Sequence, residues 1–224
     1  KTVDLFKGDL YSTNANITCS GNMQLVNFTA EKSGGAWTVN GDLKLGTSSG
    51  TATLSQMSGT FTVNSGKWTR FESGSTSTLN LGGGTFATKR IHDAGAASAS
   101  IVFDGGTLKA NAYDSNGLIP QATINVTVKS GGAKVNANNY DVILNSAFNK
   151  DAESAGDLTV TGGGSAKFTN MGDLAGALTL EENTGIHWFD QDGAVSATPG
   201  FTSLALGAGS TVYLNGDATA VDAL

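Results

Sequence analysis

The chain has 224 residues, with 13 Lys or Arg against 19 Asp or Glu and a formal net charge of −6, which argues against nucleic acid as the main partner because that binding rests on phosphate neutralisation. Hydrophobic residues make up 39% and charged residues 14%, too apolar for a disordered chain, and no stretch nears the roughly 20 apolar residues of a membrane-spanning helix. With 31 Gly and only 2 Pro beside abundant Thr, Ser and Asn, the vocabulary is that of strands and turns, so an all-β fold is expected.

Residues 1–40 follow the strand-and-glycine pattern poorly and read as an N-terminal cap or assembly element, with 41–224 as stacked coils. No Pro-rich, charge-rich or low-complexity linker interrupts the chain, so residues 1–224 are expected to form one domain. A lone Cys19 has no partner for an internal disulfide. The Asn-x-Thr acceptor sequences at Asn16, Asn27 and Asn125 read as chance in a chain so rich in Asn and Thr.

Strand residues alternate between two sides, which places Trp37 with Val39, and Phe61 with Val63, inside. Trp68 fits an inward position less well: Arg70 alternates with it, while Thr69 and Phe71 share the other side. That strand puts either a charge inside or an aromatic ring outside, and an exposed Trp68 or Phe71 would suit a sugar ring or another subunit. Arg90, His92 and Asp93 make a poor acid–base group, because neighbouring strand residues face opposite ways. The stretches 94–98 and 149–156 read as long turns.

From Ser75 to Leu214 one phrase recurs: a short alternating strand, a Gly-rich break, then a second strand. Between Leu108, Val135, Phe168, Trp188 and Leu214 the steps are 27, 33, 20 and 26 residues, a spacing that argues for stacked coils. Each unit is too small to bury its own apolar face and must stack on its neighbours, so the expected fold is a β-solenoid. Alternation puts Leu108 and Ala110, Val135 and Ala137, Ala166 and Phe168, Ile186 and Trp188, and Val212 and Leu214 inside. Thr38, Thr62, Lys109, Lys134, Lys167, His187 and Tyr213 then face water.

If these outward positions share a column, Lys109, Lys134, Lys167 and His187 form a basic stripe leading to Tyr213, with Phe189 adding an apolar face. Such a stripe suits a surface glycan or another anionic polymer. No catalytic or metal-binding constellation stands out, and no cofactor is implied. Asp190-Gln191-Asp192-Gly193 resembles a fragment of a Ca²⁺ loop without its later acidic ligand, and His187 with Asp190 lacks further zinc ligands. Residues 1–150 carry 12 Lys or Arg against 9 Asp or Glu, whereas 151–224 carry 1 against 10. Ends of opposite sign favour head-to-tail self-association into a filament.

The runs Ile101-Val102-Phe103-Asp104-Gly105-Gly106-Thr107-Leu108-Lys109-Ala110-Asn111, Val128-Lys129-Ser130-Gly131-Gly132-Ala133-Lys134-Val135-Asn136 and Gly156-Asp157-Leu158-Thr159-Val160-Thr161-Gly162-Gly163-Gly164 resemble the autotransporter-associated β-strand repeat. Upstream, Ser77-Thr78-Leu79-Asn80-Leu81-Gly82-Gly83-Gly84-Thr85-Phe86 is similar to the same family's units, and the likeness spans roughly residues 41–193. The resemblance implies a right-handed, single-stranded parallel β-helix in the exported part of a bacterial surface or secreted protein. It also implies an extracellular structural or adhesive module without catalytic residues. The alternative from another class is a carbohydrate-active β-helix enzyme, a polysaccharide lyase or hydrolase, which needs clustered carboxylates.

Overall fold

The computed structural model describes residues 3–188 and 201–214. The named elements are all strands, they pair in parallel, and the chain winds as a β-solenoid of about eight turns. Among the described residues no helix is long and apolar enough to cross a membrane.

Each coil visits three stacks of strands. The first stack runs from the start of Met23–Ser33 through Leu43–Leu45, Trp68–Phe71 and Arg90–Asp93. It crosses Leu118 and Ile119, where the Ile91 amide donates to the Leu118 carbonyl at 2.7 Å and Ile119 bridges Leu144. It resumes in Asp141–Leu144, Gly164–Phe168, Thr184–Trp188 and Thr211–Leu214. The second stack holds the end of Met23–Ser33, then Thr51–Gln56, Thr76–Leu81, Ser98–Phe103, Asn125–Val128 and Phe148–Lys150. The third runs from Ile17–Cys19 to Ser203–Leu206.

Residues 1–40 depart from the pattern in composition, yet 3–39 follow the plan of the later coils. Val3–Thr13 pairs along Met23–Ser33, and Ile17–Cys19 pairs with Ala36–Val39. Lys7 and Asn27, with φ of 54° and 49°, occupy the left-handed region and bend these long strands from the first stack to the second.

The interior bears out the inward positions read from alternation. Trp37, Val39, Phe61, Val63, Leu108, Ala110, Val135, Ala137, Ala166, Phe168 and Ile186 are buried, and Val212 is half-buried. The side chains of Trp188 and Leu214 lie outside the described residues. Trp37, Phe61 and Phe86 form a ladder with ring centroids 5.8 and 5.1 Å apart, within the range of favourable aromatic packing. Each such side chain withdrawn from water contributes about 1.5–3 kcal/mol, and only stacking of coils makes that withdrawal available.

The recurring phrase belongs to two stacks. Along the third stack, Phe61, Phe86, Leu108, Val135, Val160, Leu180 and Leu206 are register partners, spaced by 25, 22, 27, 25, 20 and 26 residues. Phe168, Trp188 and Leu214 are partners in the first stack. The 33-residue step between Val135 and Phe168 is therefore a change of stack.

Two devices hold the corners. A Cβ on Gly84, at φ +65°, would sit 2.3 Å from the Gly59 carbonyl oxygen, and one on Gly59 would sit 2.3 Å from that of Gly35, so close approach of successive coils demands glycine there. Elsewhere an Asn or Asp side-chain oxygen accepts an amide from the next coil: Asn16 from Ala36, Asn22 from Asp42, Asn27 from Thr51, Asp42 from Trp68, Asp104 from Gly131 and Asp157 from Ala177, at 2.7–3.0 Å. Asn16 and Asn27, from the acceptor sequences, are thereby corner clips.

A lysine lies in the interior. Lys32 is fully buried, and its Nζ donates to the carbonyls of Gly34, Gly35 and Ser58 at 2.8, 3.0 and 2.8 Å. Burial pushes its pKa below the ordinary lysine value. Gln56, its register partner, also donates to Ser58 and Gly59.

Candidate binding faces

The outer surfaces of the three stacks differ in chemistry, because register sets which side chains adjoin. On the second stack Thr51, Thr76 and Ser98 align, as do Thr53, Thr78 and Ser100, and Ser55, Asn80 and Val102. That face is uncharged across these coils. The third stack carries a column of Thr60, Thr85, Thr107, Lys134, Thr159 and Thr179 beside one of Thr38, Thr62, Ala87, Lys109, Asn136 and Thr161.

The expected basic stripe does not form as one column. Lys109 opposes Ala87 and Asn136, whereas exposed Lys134 opposes Thr107 and Thr159, so the two lysines lie diagonally on the third stack. Lys167 belongs to the first stack, where Ile143, Lys167, His187 and Tyr213 share a column. Strand position and alternation were readable, but two strands of each coil carry the same phrase and neither declares its stack. The side chains of His187 and Tyr213, and all of Phe189, lie outside the described residues.

The first stack also gathers residues that the stripe omitted. Gln24, Lys44, Arg70 and His92 form one outward column, and Trp68 opposes Arg90 in the next. Trp68 is therefore outward and half-buried, in contrast to the inward position considered for it. Thr69 and Phe71 fill the interior instead, with the Thr69 hydroxyl donating to that of Thr88 at 3.2 Å. A buried hydroxyl pair satisfies itself, whereas a buried Arg70 would need a counterion. Alternation with coils registered by stack could have aligned these residues, but not decided which side of the Trp68 strand faces outward.

Trp68 is fixed from the following coil. The Arg90 guanidinium lies 4.3 Å from its ring centroid, and the His92 ring is tilted by 58° at 5.5 Å. Arg90 is held by Asp114, its Nε donating to Oδ2 at 2.9 Å and its Nη2 to Oδ1, and Lys89 lies 3.9 Å from the same carboxylate. Burial opposes ionisation of Asp114, but the Arg90 hydrogen bond, the Asn116 amide and the charges of Arg90 and Lys89 outweigh it and hold its pKa below the ordinary carboxylate value.

Asp114 lies in the strand-free segment 111–124, which forms a ledge beside the column. Gln121 bonds His92 Nδ1, Asn111 reaches back to the Val63 carbonyl, and Asn145 donates to the Pro120 carbonyl at 2.8 Å. Tyr113 stands exposed on the ledge. Burial and the charges of Arg70 and Arg90 lower the His92 pKa from the ordinary histidine value, against the pull of Asp93 and Gln121. The Asp93 carboxylate instead accepts from the amides of Gly95 and Ala96 and the hydroxyl of Thr123, so the side chains of His92 and Asp93 serve different partners. Among the described residues no group of three or more His, Cys, Asp or Glu is placed to hold a metal ion.

No known protein family, curated protein or solved structure matches the chain.

Proposed function

We propose that the chain is a non-catalytic structural and adhesive module of an exported bacterial surface protein, with the outer face of the first stack as its binding surface. The observation that carries this reading is the sorting of side chains by stack: Lys44, Trp68, Arg70, Arg90, His92 and Lys167 lie on one face, while across the coils of Thr51, Thr76 and Ser98 the second stack offers neutral side chains. Cations and aromatic rings set at strand spacing, about 4.8 Å between coils, suit an extended ligand that runs along the rod better than a small enclosed one. The strand-and-glycine phrases support a right-handed β-helix of the autotransporter-associated type.

The test is incubation of the purified chain with immobilised polysaccharides, neutral and anionic, with the length of each polymer followed in parallel. Retention on a polymer whose length stays constant is expected. Shortening of the polymer would favour the carbohydrate-active alternative, and absence of retention on every polymer would overturn the adhesive reading.

A further inference from the structure

We infer that Trp68, Arg70 and Lys44 form a subsite for an acidic polysaccharide, with the part of the indole that Arg90 and His92 leave uncovered meeting a sugar ring and the two cations its carboxylate or sulfate. This rests on the adhesive reading above and narrows it to one place and one ligand chemistry.

Geometry comes first. Trp68 is held at the surface by Arg90, 4.3 Å from its ring, and Arg90 is itself pinned by two hydrogen bonds to buried Asp114. A ring so restrained loses little freedom on contact, which is the main cost of using an exposed aromatic side chain in binding. Arg70 lies two residues along the same strand, on the same side, and Lys44 is its register partner on the preceding coil. The three side chains therefore occupy adjoining positions on one surface, at spacings of about 5–7 Å set by the strand repeat.

Charge points the same way. The neighbouring acids are engaged: Asp42 accepts the Trp68 amide, Glu72 lies 3.3 Å from Arg70, Asp114 holds Arg90 and Lys89, and Asp93 closes a turn. Among the described residues Lys44 and Lys67 have no carboxylate within 4.0 Å, so their ammonium groups are open to an incoming anion. Arg70 contacts Glu72 through Nε, and a guanidinium has five donors in a planar fork, which matches a planar carboxylate. Sulfate shares the charge and the acceptors, so both anions belong in the test.

Binding is measured against polygalacturonate, dextran sulfate and uncharged dextran, using the wild type, the double variant Lys44→Ser with Arg70→Gln, and Trp68→Leu. The third-stack double variant Lys109→Ser with Lys134→Ser serves as comparison. All substitutions sit on outward positions, and circular dichroism melting verifies that each variant is folded. Wild-type binding to one or both polyanions above dextran is expected, weakened about tenfold by loss of the first-stack cations, and unchanged by loss of Lys109 and Lys134. A change in tryptophan fluorescence on binding, absent in Trp68→Leu, is expected as well. Polyanion binding that depends on Lys109 and Lys134 and survives Lys44→Ser with Arg70→Gln overturns the subsite while leaving the adhesive reading intact. Equal affinity for dextran also overturns it, and binding to no polysaccharide removes both.

Discussion

Replacing Asp114 by Asn tests whether the ledge is locked to the solenoid by charge. The carboxylate is 3% exposed and the Arg90 side chain 11%, so the substitution strands a nearly buried guanidinium without its counterion. Breaking such a pair from one side costs about 3–5 kcal/mol. The residual exposure of Arg90 and its contact with Trp68 favour the lower end, about 3 kcal/mol. For a chain of this length about 1 kcal/mol moves the melting temperature by about 2–4 °C, so Asp114→Asn should melt about 6–12 °C below the wild type at pH 7 in circular dichroism. The sign of the pH dependence follows from the lowered pKa of Asp114: its contribution is complete above the unfolded-state value and is lost as pH falls through the folded-state value. The gap between variant and wild type should therefore close in acid. An unchanged melting temperature at pH 7, or a gap that does not narrow as pH falls below the ordinary carboxylate range, refutes the ion-pair lock.

Leu108→Asp places an unpaired carboxylate between the coils of Phe86 and Val135; a loss of several kcal/mol should unfold or fray the central coils, and wild-type melting would contradict the packing described here. Lys32 shifts stability with pH in the same direction as Asp114, but in the alkaline range. Its lowered pKa means that the unfolded chain binds the extra proton, so stability should rise from the folded-state pKa up to about 10.4, the unfolded value. Lys32→Met should flatten that rise in melts taken from pH 7 to 10, and persistence of the rise in the variant would assign it to another group.

Much of the interior was legible because a half-buried strand writes its inward side at every second residue. Leu108 with Ala110 and Val135 with Ala137 needed nothing more than that period. What alternation cannot state is which of three stacks a strand joins, so Lys109, Lys134 and Lys167 looked collinear and are not. Trp68 was ambiguous for a different reason. The decision between Trp68 with Arg70 and Thr69 with Phe71 rests on neighbours remote in sequence, among them the Thr88 hydroxyl that meets Thr69 and the Arg90 that covers the indole. The Lys32 cage was equally hidden, since its acceptors are carbonyls at two corners, 34–35 and 58. The ledge carries no alternating pattern, and its attachment depends on Arg90 and His92 from the coil before it.

The corner clips have a consequence for how this surface can diverge. Each needs only an acceptor oxygen facing the next coil's amide, and Asn16, Asn22 and Asn27 perform the task that Asp42, Asp104 and Asp157 perform elsewhere. Exchange of amide for carboxylate at a corner therefore preserves the acceptor while moving the local charge by one. A lineage of such solenoids can drift from basic to acidic, corner by corner, without disturbing a single core residue, and so meet surfaces of either sign on an unchanged frame.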